Sequence, residues 1–303
     1  MYISRKTFIK SASLLTGGIL LGIHDSLAKV LQQEDSGFKV LRDNLGIYLG
    51  GGGTIFWYIS DDAVVVIDTQ NPGSAKNFIT GLKEKTNRKI NFLFNTHHHA
   101  DHTSGNIYFK PYVEKIVAQE NCPKLQKKAY GEGEKANEQV YADTTFSDKW
   151  SQNLGKEKIT AAYITPAHTG GDIIIHFEKA NIAHVGDLVF NRVYPFIDKN
   201  GGGSIASWVE VLEKAEKQYP DDTMFIYGHA DTNENTTGKK EDLTSMRNYL
   251  SALLDYTSKG IKNGKSPEEL QKVTKIPGVK VRKERWPGTL AANIDAAYSE
   301  LKK

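Results

Sequence analysis

NTHHHADHTSGN, residues 95–106, sets four histidines and one aspartate in six consecutive positions. The run before it, KINFLFNT (89–96), alternates and predicts a strand ending at Asn95 and Thr96. In extended chain, residues two apart point the same way. His97, His99 and Asp101 are therefore expected to converge on one side, with His98 directed elsewhere. Thr103 to Asn106 reads as a tight turn. A loop at the end of a buried strand is a common place for chemistry. Clustered imidazoles with a carboxylate suit a borderline-soft divalent cation such as zinc.

Three later stretches repeat that arrangement at the ends of apolar strands. TPAHTGGD places His168 after KITAAYIT (158–165), HVGDLVFN places Asp187 after NIAHV, and FIYGHAD places His229 after TMFIY. Together with His97, His99, Asp101 and His102 they make five histidines and two aspartates. A single catalytic zinc takes about three protein ligands and a water. Seven ligands suit two metals with one bridging carboxylate, about 3.5–4 Å apart.

The remaining chain supplies a scaffold for such a site. Strands are expected at 38–49, 54–60, 63–68, 89–94, 158–165, 172–178, 181–187 and 223–229. Helices are expected at 74–86, 204–219, 239–258, 267–274 and 288–302. The run AVVVID (63–68) suits a strand buried on both faces. Strand–helix units in two halves point to two sheets with helices outside them. Gly50 to Gly53 lie between strands, where a phosphate cradle would need a helix to follow. They read as a mobile hairpin tip. Residues 121–150 read as helical and loop insertions over the site, with 130–150 a candidate lid.

With 303 residues, 39% of them hydrophobic, the chain can bury a sizeable core. The formal charge is +3; Arg5, Lys6 and Lys10 against Asp25 place +2 of it in the first 28 residues, leaving about +1. That balance gives no case for a nucleic-acid partner. Residues 1–28 read as an export signal: a basic start, SRKTFIK; a short apolar stretch, ASLLTGGILLG; and a small-x-small site at Ser26-Leu27-Ala28. SRKTFIK resembles a twin-arginine signal with Lys6 in place of the second arginine. Residues 29–37 read as a linker and 38–303 as the functional domain. The expectation is an exported, periplasmic protein with no stable membrane anchor. No sequence feature sets an oligomeric state. Cys122 is the only cysteine, so no intramolecular disulfide forms, and it reads as a small hydrophobe at a helix start.

The motif set resembles the metallo-β-lactamase-fold hydrolases: THHHADHTSGN matches their THxHxDH signature, and PAHT, VGDLVFN and YGHA match later motifs in order. The resemblance covers about residues 38–303. It implies a four-layer αββα sandwich with the site at one edge. It implies two zinc ions, with iron or manganese as alternatives. His97, His99 and His168 would hold the first; Asp101, His102 and His229 the second; Asp187 would bridge, and Asp101 would also orient the nucleophile. Aspartate at 187, where many zinc β-lactamases carry cysteine, and the THHHxDH form are similar to glyoxalase II-like enzymes. The C-terminal third shows no basic glutathione-binding pattern, so the resemblance carries over the metal site and not that substrate.

The reading is therefore a dinuclear zinc hydrolase cleaving an ester, thioester, lactone or β-lactam in a small-molecule substrate. An iron-dependent persulfide dioxygenase and a non-catalytic metal-binding protein are the alternatives. FNRVYPFIDKNGGGS (190–204) leads from Asp187 to the next helix, with Tyr194 and Phe196 as candidate substrate contacts. His98 reads as a neighbour of the ligands or a surface residue, and His176 and His184 as structural.

Overall fold

The computed structural model describes residues 37–302 except 43 and 135. Residues 1–28, read as an export signal, and nearly all of the expected linker lie outside the described residues.

Seven strands form the first sheet in sequential order: β1 (Phe38–Arg42), β2 (Leu45–Tyr48), β3 (Ile55–Ile59), β4 (Val64–Ile67), β5 (Ile90–Phe94), β6 (Val113–Gln119) and β7 (Thr144–Phe146). β1 to β4 are antiparallel meanders, and β4 to β7 pair parallel. The second sheet holds β8 (Lys149–Leu154), β9 (Glu157–Ala162), β10 (Ile174–Phe177), β11 (Ile182–Asn191), β12 (Met224–Ala230) and β13 (Thr237–Gly238), with only β11 and β12 parallel.

Side-chain alternation along the strands builds the layers. Phe56, Tyr58, Val65 and Ile67 turn inward and meet Ile159, Ile175 and Phe177 of the second sheet. Their neighbours Ile55, Trp57, Val64 and Val66 turn outward onto α1 (Pro72–Lys85), through Ala75, Phe78, Ile79 and Leu82. The outer face of the second sheet packs on α5 (Ile205–Gln218), α6 (Lys240–Lys262) and α8 (Thr289–Leu301), through Trp208, Leu212, Leu250 and Ile294. Three apolar layers between four layers of structure make the αββα sandwich expected from the sequence. Short α2 (Ala100–Thr103), α3 (Asn106–Phe109) and α7 (Pro267–Leu270) and the ten-residue α4 (Asn121–Tyr130) complete the helices. Among the described residues no helix is long and apolar enough to cross a membrane.

Several elements differ from the sequence reading. The 38–49 strand is two strands in a tight hairpin. β6 was not expected, because Glu114-Lys115 interrupts its alternation where the strand begins. β7 and β8 occupy part of what reads as a polar insertion; β8 is an edge strand whose residues are exposed or half-buried. The Gly50–Gly53 tip is tied down. Gly51 donates to Ser74 Oγ at 2.6 Å and accepts from Asn71 N at 3.1 Å, and Gly53, buried, donates to Asp101 O at 3.0 Å.

Candidate metal centre

The site lies at one edge of the sandwich, where β4, β5, β11 and β12 bring their carboxyl-terminal residues together. After His99, whose backbone is extended, the chain turns straight into α2. Asp101 is therefore helical and leaves the side shared by His97 and His99, contrary to the extended reading, and Thr103 to Asn106 continue through a second helical turn. β11 also does not stop before Asp187. It runs on to Asn191, broken at Gly186 (φ +50°), whose missing Cβ makes room for Thr96.

Two groups of donors result. His97 Nε2 and His168 Nε2 lie 3.1 and 3.0 Å from His99 Nδ1. His229 Nε2 lies 3.1 Å from Asp101 Oδ2, and His102 Nε2 lies 3.9 Å from the same oxygen. Asp187 stands between the groups: Oδ2 is 3.6 Å from His168, 3.9 Å from His97 and 3.4 Å from His229, and Oδ1 is 3.2 Å from His102. All seven residues singled out in the sequence thus gather within one cluster, from positions 97 to 229.

The outer nitrogens decide where the protons sit. His168 Nδ1–H donates to Phe196 O (2.7 Å), so Nε2 is bare. His99 Nε2–H donates to Asp198 Oδ2 (2.9 Å), so Nδ1 is bare. Asp68 accepts from Thr96 N and Oγ1 (2.8 Å each) and from His102 Nδ1–H (2.7 Å). Thr96 Oγ1, its proton committed to Asp68, accepts from His97 Nδ1–H at 3.0 Å. Lone pairs therefore face lone pairs across about 3 Å. His102 Nε2 and Asp187 Oδ1 are buried, adjacent and without hydrogen-bond partners. Acceptors so opposed repel unless a cation lies between them. The residues fit divalent metals, and their outer partners have the orienting role of carboxylates and carbonyls around metal-ligating histidines.

The electrostatics agree. Burial, reinforced by neighbouring His99, pushes His168 down to about 3, and burial with His102 holds His97 well below the ordinary histidine value, so both stay neutral as ligands must be. Burial opposes the charge on Asp187, yet His229 and His102 hold it well below the usual carboxylate range. Burial likewise opposes a proton on His102, but Asp187, Asp68 and Asp101 override it. The cluster draws positive charge to itself, as a proton or as a metal.

A cavity of about 680 Å³ opens on this centre, walled by His99, Asp101, Asp187, His229, Phe190 and Phe196 on the near side and by residues 286–293 on the far side. Phe196, about half exposed, sets its ring 5.5 Å from His99. Tyr194 is a correction: it is 3% exposed, packs against Tyr249 and is absent from the cavity wall, because the chain between β11 and α5 turns alternate aromatics inward and outward. Tyr130, at the end of α4, reaches the wall, but the rest of 130–150 does not form a lid over it. His98 is buried with Nε2 3.5 Å from Asp198 Oδ2. His184 is buried against Thr54 O, and His176 packs on Tyr219. Cys122 is buried near the start of α4, its thiol raised by burial.

Sequence reasoning does not single out Asp68 or Asp198. AVVVID reads as a strand end and gives no sign that its aspartate turns inward at φ +62°. Asp198 sits in a loop whose path is set by contacts, among them Gly203 N with Asp198 O (2.7 Å).

Comparison with known proteins agrees with this fold. The family model described as the metallo-beta-lactamase superfamily matches residues 49–229, and the chain belongs to that superfamily. It is 22% identical over 247 residues to a metallo-beta-lactamase type 2 of Elizabethkingia meningoseptica, covering 75% of this chain and 89% of that protein. It is 29% identical over 162 residues to a hydroxyacylglutathione hydrolase of Brucella ovis, covering 52% of this chain and 54% of that enzyme, so the match spans about half of each. Among solved structures, a metallo-beta-lactamase from Pontibacter korlensis superposes with a TM-score of 0.61 at 16% identity, over 71% of this chain and 98% of that one. A stereoselective inverting sec-alkylsulfatase from Pseudomonas sp. superposes at 0.67 and 13% identity, over 87% of this chain and 50% of that one. Both are likenesses of fold.

Proposed function

We propose that the protein is a dinuclear zinc hydrolase that cleaves an ester, thioester, lactone or β-lactam bond. The observation that carries this reading is the pair of donor groups joined by Asp187. His97, His99 and His168 would hold one cation, Asp101, His102 and His229 the other, with Asp187 shared. When bound, two such cations supply Lewis acidity toward a carbonyl and a nucleophilic hydroxide near neutral pH.

The chain's own residues do the rest. Asp198, Phe196 O, Thr96 and Asp68 fix the ring orientation of His99, His168, His97 and His102, so the centre is organised before substrate arrives. Asp101, about one-third exposed and lining the cavity, would accept a hydrogen bond from an attacking water and so orient it toward the substrate. The cavity admits a small molecule, which a closed structural metal site would not. The relatives named as a metallo-beta-lactamase and a hydroxyacylglutathione hydrolase support hydrolysis as the reaction class. Export to the periplasm is part of the same proposal.

The test is metal content together with a turnover panel on the purified protein. Two metal equivalents per chain and cleavage of at least one ester, thioester, lactone or β-lactam are expected. One iron with persulfide oxidation and no hydrolysis would replace the reading with the dioxygenase. Bound metal with no turnover across the panel would leave the non-catalytic protein.

A further inference from the structure

We propose that the cavity receives the uncharged, apolar part of the substrate, so that the preferred substrates are neutral hydrophobic acyl compounds rather than carboxylate-bearing ones such as β-lactams. This inference rests on the hydrolase reading and narrows its substrate class. The cavity volume, about 680 Å³, lies within the roughly 300–1,000 Å³ of small-ligand sites. Beyond the metal centre its wall is mostly apolar, with Phe190, Phe196, Ile197, Trp286, Pro287 and Ala292. Of its neutral polar residues, Thr289 Oγ1 already donates to Trp286 O (2.6 Å) and Asn293 Nδ2 to Tyr249 OH (2.9 Å), leaving Asn71 and Tyr130.

Phe196 and Trp286 are 47% and 49% exposed, and both rings lie on the same cavity rather than scattered over the surface. Both line one cavity that also reaches the metal centre, so a substrate reacting there brings its non-reacting portion against them.

No lysine or arginine is among the lining residues, all of which are described. Arg285, next in sequence to the far wall, stacks over the Trp286 ring at 5.0 Å and is not part of the lining. The amino-terminal end of α8, which reaches the cavity at Gly288 and Thr289, is the other feature able to attract an anion. Glu284 already occupies it, accepting from Gly288 N at 3.0 Å and Leu290 N at 3.2 Å. A substrate carboxylate lodged away from the metals would lose hydration and find no cationic partner, only neutral donors such as Asn71 and Tyr130. An alkyl or aryl group gains on the order of 25 cal/mol per Å² buried.

The experiment uses the metal-loaded full chain and two readouts. The first is kcat/KM for aryl esters of acetic, butyric, hexanoic and octanoic acids, and for the half-ester of the dicarboxylic acid matched to hexanoate. A rise of roughly threefold per methylene up to hexanoate is expected, with the ω-carboxylate at least about tenfold below its neutral isostere. Trp286→Ala should lower the hexanoate-to-acetate ratio by about tenfold. Ala292→Phe, which fills part of the cavity, should lower it as well and stands in should Trp286→Ala fail to fold. The second readout needs no chemistry: octanamide should displace the uncharged dye Nile red from the wild type and bind at least about fivefold more weakly to Trp286→Ala. Turnover that is flat with chain length, or that favours the carboxylate, overturns the inference and leaves the hydrolase standing. Octanamide binding without cleavage of any ester, thioester, lactone or β-lactam keeps the cavity's role and sinks the hydrolase. Absence of both octanamide binding and chain-length dependence overturns the inference outright.

Discussion

Asp198 Oδ2 lies 2.9 Å from His99 Nε2, while the other nitrogen of the same ring faces the His97 and His168 nitrogens across about 3 Å. One carboxylate thereby sets the tautomer that leaves His99 Nδ1 free. Asp198→Asn removes the charge and keeps the shape. Partners of this kind are worth about 10- to 100-fold in metal affinity. Competition with a chromophoric chelator should show weakened binding at one of two sites, and a change at both sites or neither would contradict the pairing.

Asp187 is 3% exposed and within 4 Å of four histidines, His97, His102, His168 and His229. Asp187→Ala should lose both metals and at least about 10³-fold in turnover, since no other carboxylate reaches both groups. His98→Ala serves as the contrast. Its Nε2 is 3.5 Å from Asp198 and its Nδ1 has no partner, so it should cost less than about tenfold. Equal losses in the two variants, by elemental analysis and kinetics, would refute the assignment.

A Cβ on Gly228 would lie 1.9 Å from Asp187 Oδ1. Gly228→Ala must push the carboxylate away or move the β12 backbone. We expect a destabilisation of about 1–3 kcal/mol, the usual cost of overpacking, and less than two metal equivalents per chain. Thermal unfolding and metal content measured on one preparation would reveal whether the strand or the carboxylate yields.

Burial raises the Asp172 carboxyl to about 7, although it accepts from Thr169 N (2.6 Å) and Thr169 Oγ1 (2.9 Å). A carboxyl whose pKa is higher folded than unfolded makes the native state bind more protons between pH 3.8 and about 7. Its contribution is fully present below pH 3.8 and is lost as pH rises through 7. Asp172→Asn keeps a neutral acceptor and removes that titration. The stability of the variant relative to wild type should rise from pH 5 to pH 8, by at most about 1.4 kcal/mol for each step of one in pH. A difference independent of pH in urea unfolding would show that Asp172 stays ionised.

Removing the metals exposes the cost of the opposed lone pairs. Chelator treatment should lower the unfolding temperature in proportion to how far metal exceeds its dissociation constant, about 4 kcal/mol at a thousandfold excess, and added zinc should restore it. An unchanged unfolding temperature on verified metal loss would mean the donor groups hold without cations.

The donor-rich stretch at 95–106 and the three glycine-flanked strand ends were legible because residue type and local pattern carry that information. Alternation in β3 and β4 and the stripe on α1 marked the layers for the same reason. Legibility failed where neighbours in space do the deciding. β6 hides behind Glu114-Lys115 and is a strand because β5 and β7 flank it. Tyr194 and Phe196 are equivalent by sequence, yet one packs on Tyr249 and the other opens onto the cavity.

The sequence by itself determined which side chains are available for metal and where the strongly patterned strands and helices lie, since both follow from composition and short-range periodicity. Local periodicity put Asp101 with His97 and His99, against the family resemblance that grouped it with His102 and His229; only the tertiary structure shows it beside His229, and only it shows Asp68 and Asp198 setting the histidine tautomers. The same holds for the cavity, whose far wall comes from residues 286–293. Each of these depends on distances between segments tens to hundreds of residues apart, and those distances exist only after two sheets and their helices have packed.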